Sequence, residues 1–509
     1  MHGRRRSREH GEGRGRQPRN GRGRWRGGRP RVGPGGLLAL AAAIGAWHPV
    51  GAQEPLSLER ALWLAGEGAY GVRIADGEAV ERSSGRLEAL QGILPTLRFE
   101  SGYVRTTDPV AAFGLNLRQR TITQADFDPA QLNYPPVGYD WAGGVVVEVP
   151  LLNPDAWLGL TAADQALEAA TTGASWTTSQ TRRDVVQAYY GAILAKEKVR
   201  TLEEASRAAA AHVHQAELMV EQGLVTKSDA LLARVKAGEV DAELASARGD
   251  ARTALRQLAT LLGTPDTLPS LPDRLPPAGA VRAVVGVSPD RVALADAVPS
   301  AELADLTSPA PEAALEERLD VRAARLGASA AQRDVVRARS TWLPRINAFG
   351  RFDWHSTDGL YRGDENWTVG VMATWTPIAG AGHLSESRAA AGRRAVAEAR
   401  ADAAFANARL EAESAADRLE AALERLAIAE RAVEHAEEAH RIVSRKYEGG
   451  LATVVELLDA SATETRTRLE RAHATWTVIA EGAARALAVG GDPGRFAALD
   501  EHTGRSESE

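Results

Sequence analysis

Tyr447–Ala460 reads YEGGLATVVELLDA, and Val220–Ala233, 227 residues earlier, reads VEQGLVTKSDALLA. Each carries a Gly-Leu pair, Gly450-Leu451 and Gly223-Leu224, then a threonine and, three residues on, an acid: Thr453…Glu456 and Thr226…Asp229. Glycine supplies the left-handed residue that ends a helix. Thr-x-x-Glu, and more weakly Thr-x-x-Asp, is the capping box that begins the next one. Both stretches therefore predict a sharp reversal between two helices.

The flanks predict that these helices are long. No proline occurs from Asp155 to Thr264 or from Ile378 to Asp492, and the composition is Ala, Glu, Arg and Leu, all strong helix formers. Pro150 to Gly223 and Pro377 to Gly450 are both 73 residues, and Gly263 and Gly490 keep the 227 offset. Three anchors at one offset mark an internal duplication. At 1.5 Å per residue each long helix runs roughly 100 Å, which suits a coiled coil or helical tube rather than a compact domain.

Upstream in each copy a helical pattern, Leu56–Ile93 and Pro311–Trp342, ends at a Leu-Pro pair, Leu94-Pro95 and Leu343-Pro344. Alternating stretches follow. Ile346, Ala348, Gly350, Phe352 and Trp354 share one face of a predicted strand, and Trp367, Val369, Val371, Ala373 and Trp375 share one face of the next. Val145, Val147 and Val149 sit one residue out of phase with that last set relative to the following proline, as a bulge in one copy would produce.

The expected organisation is thus a first repeat over 53–263, with strands near 96–105 and 141–149, a long helix 155–222, a turn 223–226 and a return helix 227–263. A Pro-rich linker, 264–310, follows. The second repeat, 311–490, has strands near 345–355 and 367–375, a long helix 384–448, a turn 449–453 and a return helix 454–489, and 491–509 reads as a disordered polar tail. The class is α+β, mainly α.

The 509-residue chain has no cysteine, which excludes disulfides and thiolate metal sites. Residues 1–31 hold 12 arginines against Glu9 and Glu12, and 32–52 carry no formal charge, so 53–509 carry −16 of the whole-chain −6. A basic head, the apolar run Gly35–Trp47 and Val50-Gly51-Ala52 predict a signal peptide over 1–52. The rival reading of the head, an Arg-Gly nucleic-acid arm, fits poorly with an acidic body. No other apolar run reaches the roughly 18–20 residues of a membrane helix.

Four strands of about ten residues have the length to cross a bilayer at a tilt, but roughly eight is the smallest number that closes a barrel. An open sheet in lipid leaves backbone groups unpaired. Strands of this kind in a membrane require several chains to share one barrel, and three chains give twelve strands. Trp354 and Trp367 then mark one rim and Trp342 and Trp375 the other. A small soluble sheet on a coiled-coil protein is the alternative.

In this order and spacing the duplicated plan of helix, Leu-Pro, strand, loop, strand and long helix, with its two Gly-Leu turns, resembles the TolC family of outer-membrane efflux proteins. Phe113-Gly114…Leu117-Arg118-Gln119-Arg120…Asp126-Phe127-Asp128…Leu132-Asn133 is similar to a first external loop found in part of that family. The resemblance implies a homotrimer with a shared 12-stranded β-barrel in the outer membrane and a helical coiled-coil barrel crossing the periplasm. It implies a passive conduit, the channel of a tripartite efflux pump or type I secretion system, whose partners are a periplasmic adaptor protein and an inner-membrane transporter. The other class of function to weigh is a periplasmic coiled-coil scaffold or adaptor without a pore.

Residue by residue, the resemblance places Gly223, Leu224, Val225, Gly450 and Leu451 at the adaptor-contact tip and Glu456, Asp459, Asp229 and Tyr447 at a periplasmic gate. Glu456 has a capping explanation beside that one, whereas Asp459 lies beyond the box. Val454, Val455 and Leu458 are expected on the side opposite the acids. Three chains would crowd these carboxylates into a ring that attracts cations and raises some of their pKa values by repulsion. Two further latch positions of the family hold Leu218 and Ala452 here, so the usual latch is incomplete and a looser tip or other locking contacts are expected.

No catalytic pattern stands out and no cofactor is implied. Gly223-Leu-Val-Thr-Lys-Ser lacks the leading glycine of a phosphate loop, and there is no HExxH or GxSxG. His212 and His214, and His435 and His440, have poor metal-ligand spacing and read as solvated surface histidines.

Overall fold

The computed structural model describes residues 55–286, 310–360 and 362–500. They belong to one compact unit, Glu54–Glu509. The predicted signal peptide, residues 287–309 of the linker and residues 501–509 of the tail lie outside the described residues.

In chain order the elements are α1 (Leu58–Gly68), α2 (Tyr70–Gln91), β1 (Thr96–Thr106), α3 (Pro109–Arg118), a 3-10 turn (Gln124–Phe127), α4 (Pro129–Asn133), β2 (Gly138–Leu152), α5 (Pro154–Glu221), α6 (Lys227–Leu261) and α7 (Ala278–Val285). The second half adds α8 (Glu312–Glu316), α9 (Leu319–Ser340), β3 (Arg345–Ser356), β4 (Asp364–Thr374), α10 (Gly382–Glu448), α11 (Val454–Ala488) and a 3-10 turn (Pro493–Leu499).

α5 and α10 have 68 and 67 residues, about 100 Å each. In α10 the buried positions Ala408, Ala412, Ala415, Leu419, Ala422, Leu426, Ala429, Val433 and Ala436 alternate steps of four and three. That is a heptad seam, and its alanines let neighbouring helices approach closely. The largest apolar core lies at mid-stem, where Val185, Tyr189 and Ile193 of α5 meet Leu258 of α6, Leu423 of α10, Val478 of α11 and Leu62 of α1.

Two expectations need correction. Residues 491–500 are not a disordered tail: Phe496 and Leu499 are fully buried in that core, Tyr190 donates to the Phe496 carbonyl at 3.2 Å, and Asp500 accepts from the Leu58 amide. Two apolar side chains in a polar stretch suffice to dock it. The helices upstream of each Leu-Pro pair are also not continuous. Each is broken at a junction residue of extended backbone, Ala69 (φ −59°, ψ 133°) and Arg318 (φ −56°, ψ 138°). The segment after each break, α2 and α9, packs along α5.

The strands form one antiparallel sheet in the order β1-β2-β3-β4, with β1 and β4 as its two edges. The register collects Leu97 and Phe99 of β1, Val145 and Val147 of β2, Ile346 and Phe352 of β3, and Trp367, Val369 and Val371 of β4 on one face. Phe99, Trp367, Val369 and Val371 of that face are exposed in the chain. The other face carries Arg98, Glu100, Asp140, Glu148, Asn347, Arg351, Asp353, His355 and Asp364. Within it Asn347 donates to Glu148 at 2.8 Å and Arg351 pairs with Asp353 at 2.6 Å. The proline phase difference has a physical source: β2 runs on through Pro150 with a register shift between Pro150 and Leu152, whereas β4 stops at Thr374. At the helix end of the sheet the Trp375 indole donates to the Trp342 carbonyl at 3.0 Å.

Candidate functional site

The two helix reversals are built alike. Gly223 and Gly450 both sit at φ +71°, in the left-handed region. The Leu224 amide donates to the Met219 carbonyl at 2.9 Å and the Leu451 amide to the Lys446 carbonyl at 2.8 Å. This pattern, with the glycine amide bonding one turn back, is the Schellman closure. Both following helices open with a complete capping box. Asp229 accepts from the Thr226 amide at 2.9 Å and Glu456 from the Thr453 amide at 2.7 Å, and each acid's own amide donates back to its threonine at 3.3 Å. Leu224 and Leu451 project at the ends, 65% and 82% exposed.

Behind the turns lies a separate apolar cluster of Ala216, Ala230, Ala233, Tyr447, Val454, Leu457 and Leu458. It joins α5, α6, α10 and α11. Val455 is exposed and Leu457 buried, so the expected apolar set of Val454, Val455 and Leu458 is corrected at one position. Adjacent apolar residues at a helix start leave the rotation of the first turn open, and only packing decides it. Glu456 and Asp459 are both exposed on the other side.

Tyr447 is 2% exposed, and its buried hydroxyl has no hydrogen-bond partner. Burial pushes its pKa up, with the charge of Asp229 adding to the effect. The structure thus brings Tyr447 and Asp229 together without a bond between them. Leu218 and Ala452 offer no side-chain polar group that would complete the set.

The Glu456 carboxyl is held below its ordinary 4.5 by the Thr453 amide first, then the Thr453 hydroxyl, and least by Lys446. A depressed folded pKa means that the contribution to stability is full above the unfolded value and is lost as pH falls through the folded one. Amides of the first turn of α11 are therefore expected to exchange faster in Glu456→Ala than in wild type at neutral pH. The gap should narrow once pH falls below 4.5. A gap independent of pH would remove the ionised carboxylate from the cap.

Sequence reasoning missed two features near the acids. Lys236 of α6 bonds Glu239 at 2.8 Å, and its pKa is raised first by that contact and least by the charge of Asp459. Lys236, Glu239, Asp459, Arg466 and His212 line one cavity of about 430 Å³. His212 and His440 are also not solvated surface residues. Their rings lie 6.2 Å apart, edge to face, and His440 is bonded to Glu464. His440 falls on the continuation of the α10 heptad seam, four residues beyond Ala436, which is why it turns inward. Burial, and then the neighbouring His440, push the His212 pKa down. Among the described residues no three His, Cys, Asp or Glu side chains are grouped to hold a metal, and no helix is long and apolar enough to cross a membrane.

A duplicated helix-sheet-helix chain with one apolar sheet face, two open sheet edges and two exposed leucine turns has the architecture of an outer-membrane channel protein. The outer membrane efflux protein family matches residues 95–264 and 310–484, and the chain belongs to that family. It is a transport family, not an enzyme family, and its members reside in the outer membrane. Solved structures share the fold. A membrane protein from Pseudomonas aeruginosa is 18% identical with a TM-score of 0.69, covering 86% of this chain and 91% of that one. The CmeC outer membrane channel of Campylobacter jejuni is 15% identical at 0.67, covering 88% and 89%. The outer membrane protein VceC of Vibrio cholerae is 18% identical at 0.65, covering 86% and 96%. No curated protein matches the chain.

Proposed function

We propose that three copies of this chain form one outer-membrane efflux channel, with twelve strands closing a barrel and twelve long helix segments forming a tunnel through the periplasm. The observation that carries this is the sheet. It has an apolar face suited to lipid, a polar face suited to a water-filled lumen, and unpaired edges at β1 and β4 that only neighbouring copies can satisfy. From Trp367 to Trp375 the strand direction spans about 26 Å, which at a barrel tilt of about 35–45° covers about 20 Å of the roughly 25 Å apolar band between two aromatic girdles. Outer-membrane fractionation and heat-modifiable migration on denaturing gels test the assembly. A soluble, elongated particle would instead support the scaffold without a pore.

The turns at the far end are the periplasmic entrance. Exposed Leu224 and Leu451, with Gly223, Val225 and Gly450 beside them, offer an apolar surface for the tip of a periplasmic adaptor. The adaptor in turn couples the channel to an inner-membrane transporter that supplies the energy. Asp459 and Glu456 point away from the apolar cluster and form the acidic ring, with Lys236 lining the same cavity as Asp459. Asp459→Ala is expected to lower the cation-over-anion permeability ratio of the channel in planar bilayers by roughly twofold. An unchanged ratio would remove Asp459 from the pore while leaving the fold untouched.

A further inference from the structure

The segment between β1 and β2, residues 107–137, lies at the end of the sheet away from the stem, and packing, hydrogen bonds and an ion pair tie it to the sheet on its polar side. A Cβ placed on Gly138 would meet Ala112 at 3.4 Å and Leu115 at 3.8 Å, so α3 packs on the side to which Gly138 and Asp140 both point. The Gln119 amide donates to Asp140 Oδ1 at 2.9 Å and to the Tyr139 carbonyl at 2.9 Å. Arg120 donates to the Glu365 carbonyl at 3.0 Å and pairs with Asp364 at 3.3 Å. The register puts Gly138, Asp140, His355 and Asp364 on one face, with His355 directly opposite Asp364 and Asp140 two residues beyond the Ala142 that pairs with His355.

The attachment is built rather than incidental. Gln119, Asp140 and His355 are 6%, 1% and 7% exposed. Asp140 also contacts His355 Nδ1 at 2.7 Å and accepts from the Ser356 amide at 3.2 Å, so both of its oxygens are engaged in a dry site. Arg120 has φ +52°, in the left-handed region that costs a non-glycine residue free energy unless its surroundings hold it there. Beyond it the segment folds on itself, with Phe113 and Phe127 edge to face at 5.8 Å and Thr123 and Asp126 in a capping box.

We propose that 107–137 is an inward-folded exit constriction, pinned over the channel mouth by Gln119 on Asp140–His355 and by Arg120 on Asp364, and that it sets the aperture through which solutes leave. This rests on the barrel reading, in which the polar face is the lumen. Hinged at both ends to β1 and β2, the segment is held inward by side chains on its α3 side. Loss of those side chains frees it to swing without altering a strand.

Two measurements in planar bilayers test this. The double variant Gln119→Ala, Arg120→Ala changes only the pinned segment and is expected to conduct about twice as well as wild type. In the second, Arg118→Cys, in a chain otherwise free of cysteine, is treated from the outer side with a bulky thiol reagent, which is expected to reduce conductance. Wild-type conduction with no increase in the double variant, or full modification at position 118 with no block, would overturn the constriction. If the double variant fails to assemble, the thiol test alone decides. No conductance from wild type would overturn the barrel reading itself, and the constriction with it.

Discussion

Gly263→Ala is expected to destabilise the protein by about 2–5 kcal/mol, whereas Gly490→Ala, the same change at the matching position of the second repeat, should cost about 1–2. Both glycines end a return helix in the left-handed region, at φ +75° and +77°, so both substitutions incur the conformational cost of an L-residue there. Their surroundings differ. A Cβ on Gly263 would lie 2.2 Å from the Gly68 carbonyl oxygen, while one on Gly490 would meet Arg318 Cγ at 3.5 Å, an ordinary contact. The first repeat packs backbone on backbone at this crossing, where neither partner can yield. The second leaves room, with the Arg318 side chain at ordinary contact distance. Thermal dissociation of the purified assembly measures the difference, and equal midpoints for the two variants would mean that the Gly68–Gly263 contact relaxes freely.

Arg318→Met should be the most damaging single change in the second repeat, at about 2–4 kcal/mol. The Arg318 side chain is fully buried. It pairs with Asp320 at 2.7 Å and Glu411 at 2.8 Å, donates to the carbonyls of Ala408 and Ala488 at 3.3 and 2.9 Å, and lies over the Trp176 ring at 4.8 Å. One guanidinium therefore joins α9, α10, α11 and α5 at the helix break. Methionine fills much of the volume but leaves the Ala488 carbonyl, at the end of α11, without its donor, whereas the Ala408 carbonyl, inside α10, keeps its place in the helical ladder. Glu411 is more than half exposed and can be rehydrated, which keeps the loss below that of a fully enclosed pair. Arg318→Lys, with the charge kept and the fork lost, should fall between the two. A methionine variant as stable as wild type would show that the network offsets its own desolvation and no more.

What the sequence discloses here is what local chemistry controls. The two turns are written in Gly-Leu and Thr-x-x-acid, and the structure places a left-handed glycine and a closed capping box at each. The strand faces follow from alternation in Arg345–Trp375 and less cleanly in the first repeat, where Gly143 and Gly144 leave gaps that Trp354 and Asp353 fill from the neighbouring strand. The helix breaks at Ala69 and Arg318 were not legible because neither residue is a breaker. Both are buried in the fold, Ala69 in the main core and Arg318 in its ion-pair network, so the break is set by tertiary packing. The docking of Phe496 is likewise tertiary, whereas the inward turn of His440 follows from the heptad seam it continues and was open to a sequence reading. Of the proposed gate residues, Glu456 could be read from its capping role, whereas Lys236, which lines the same cavity as Asp459, comes from another helix more than 200 residues away in sequence. The Gln119–Asp140–His355 contact joins residues whose only shared signal was strand parity.

The open edges of the sheet reach beyond architecture, into expression. A lone protomer exposes an apolar face and two rows of unpaired backbone groups at β1 and β4, and lipid does not tolerate such edges. On the proposed trimeric barrel, insertion and subunit association are one event, with no resident monomer in the membrane. The yield of working channels should rise more steeply than in proportion to the amount of chain synthesised. Below a threshold of synthesis, a cell would hold the polypeptide and yet have no channel.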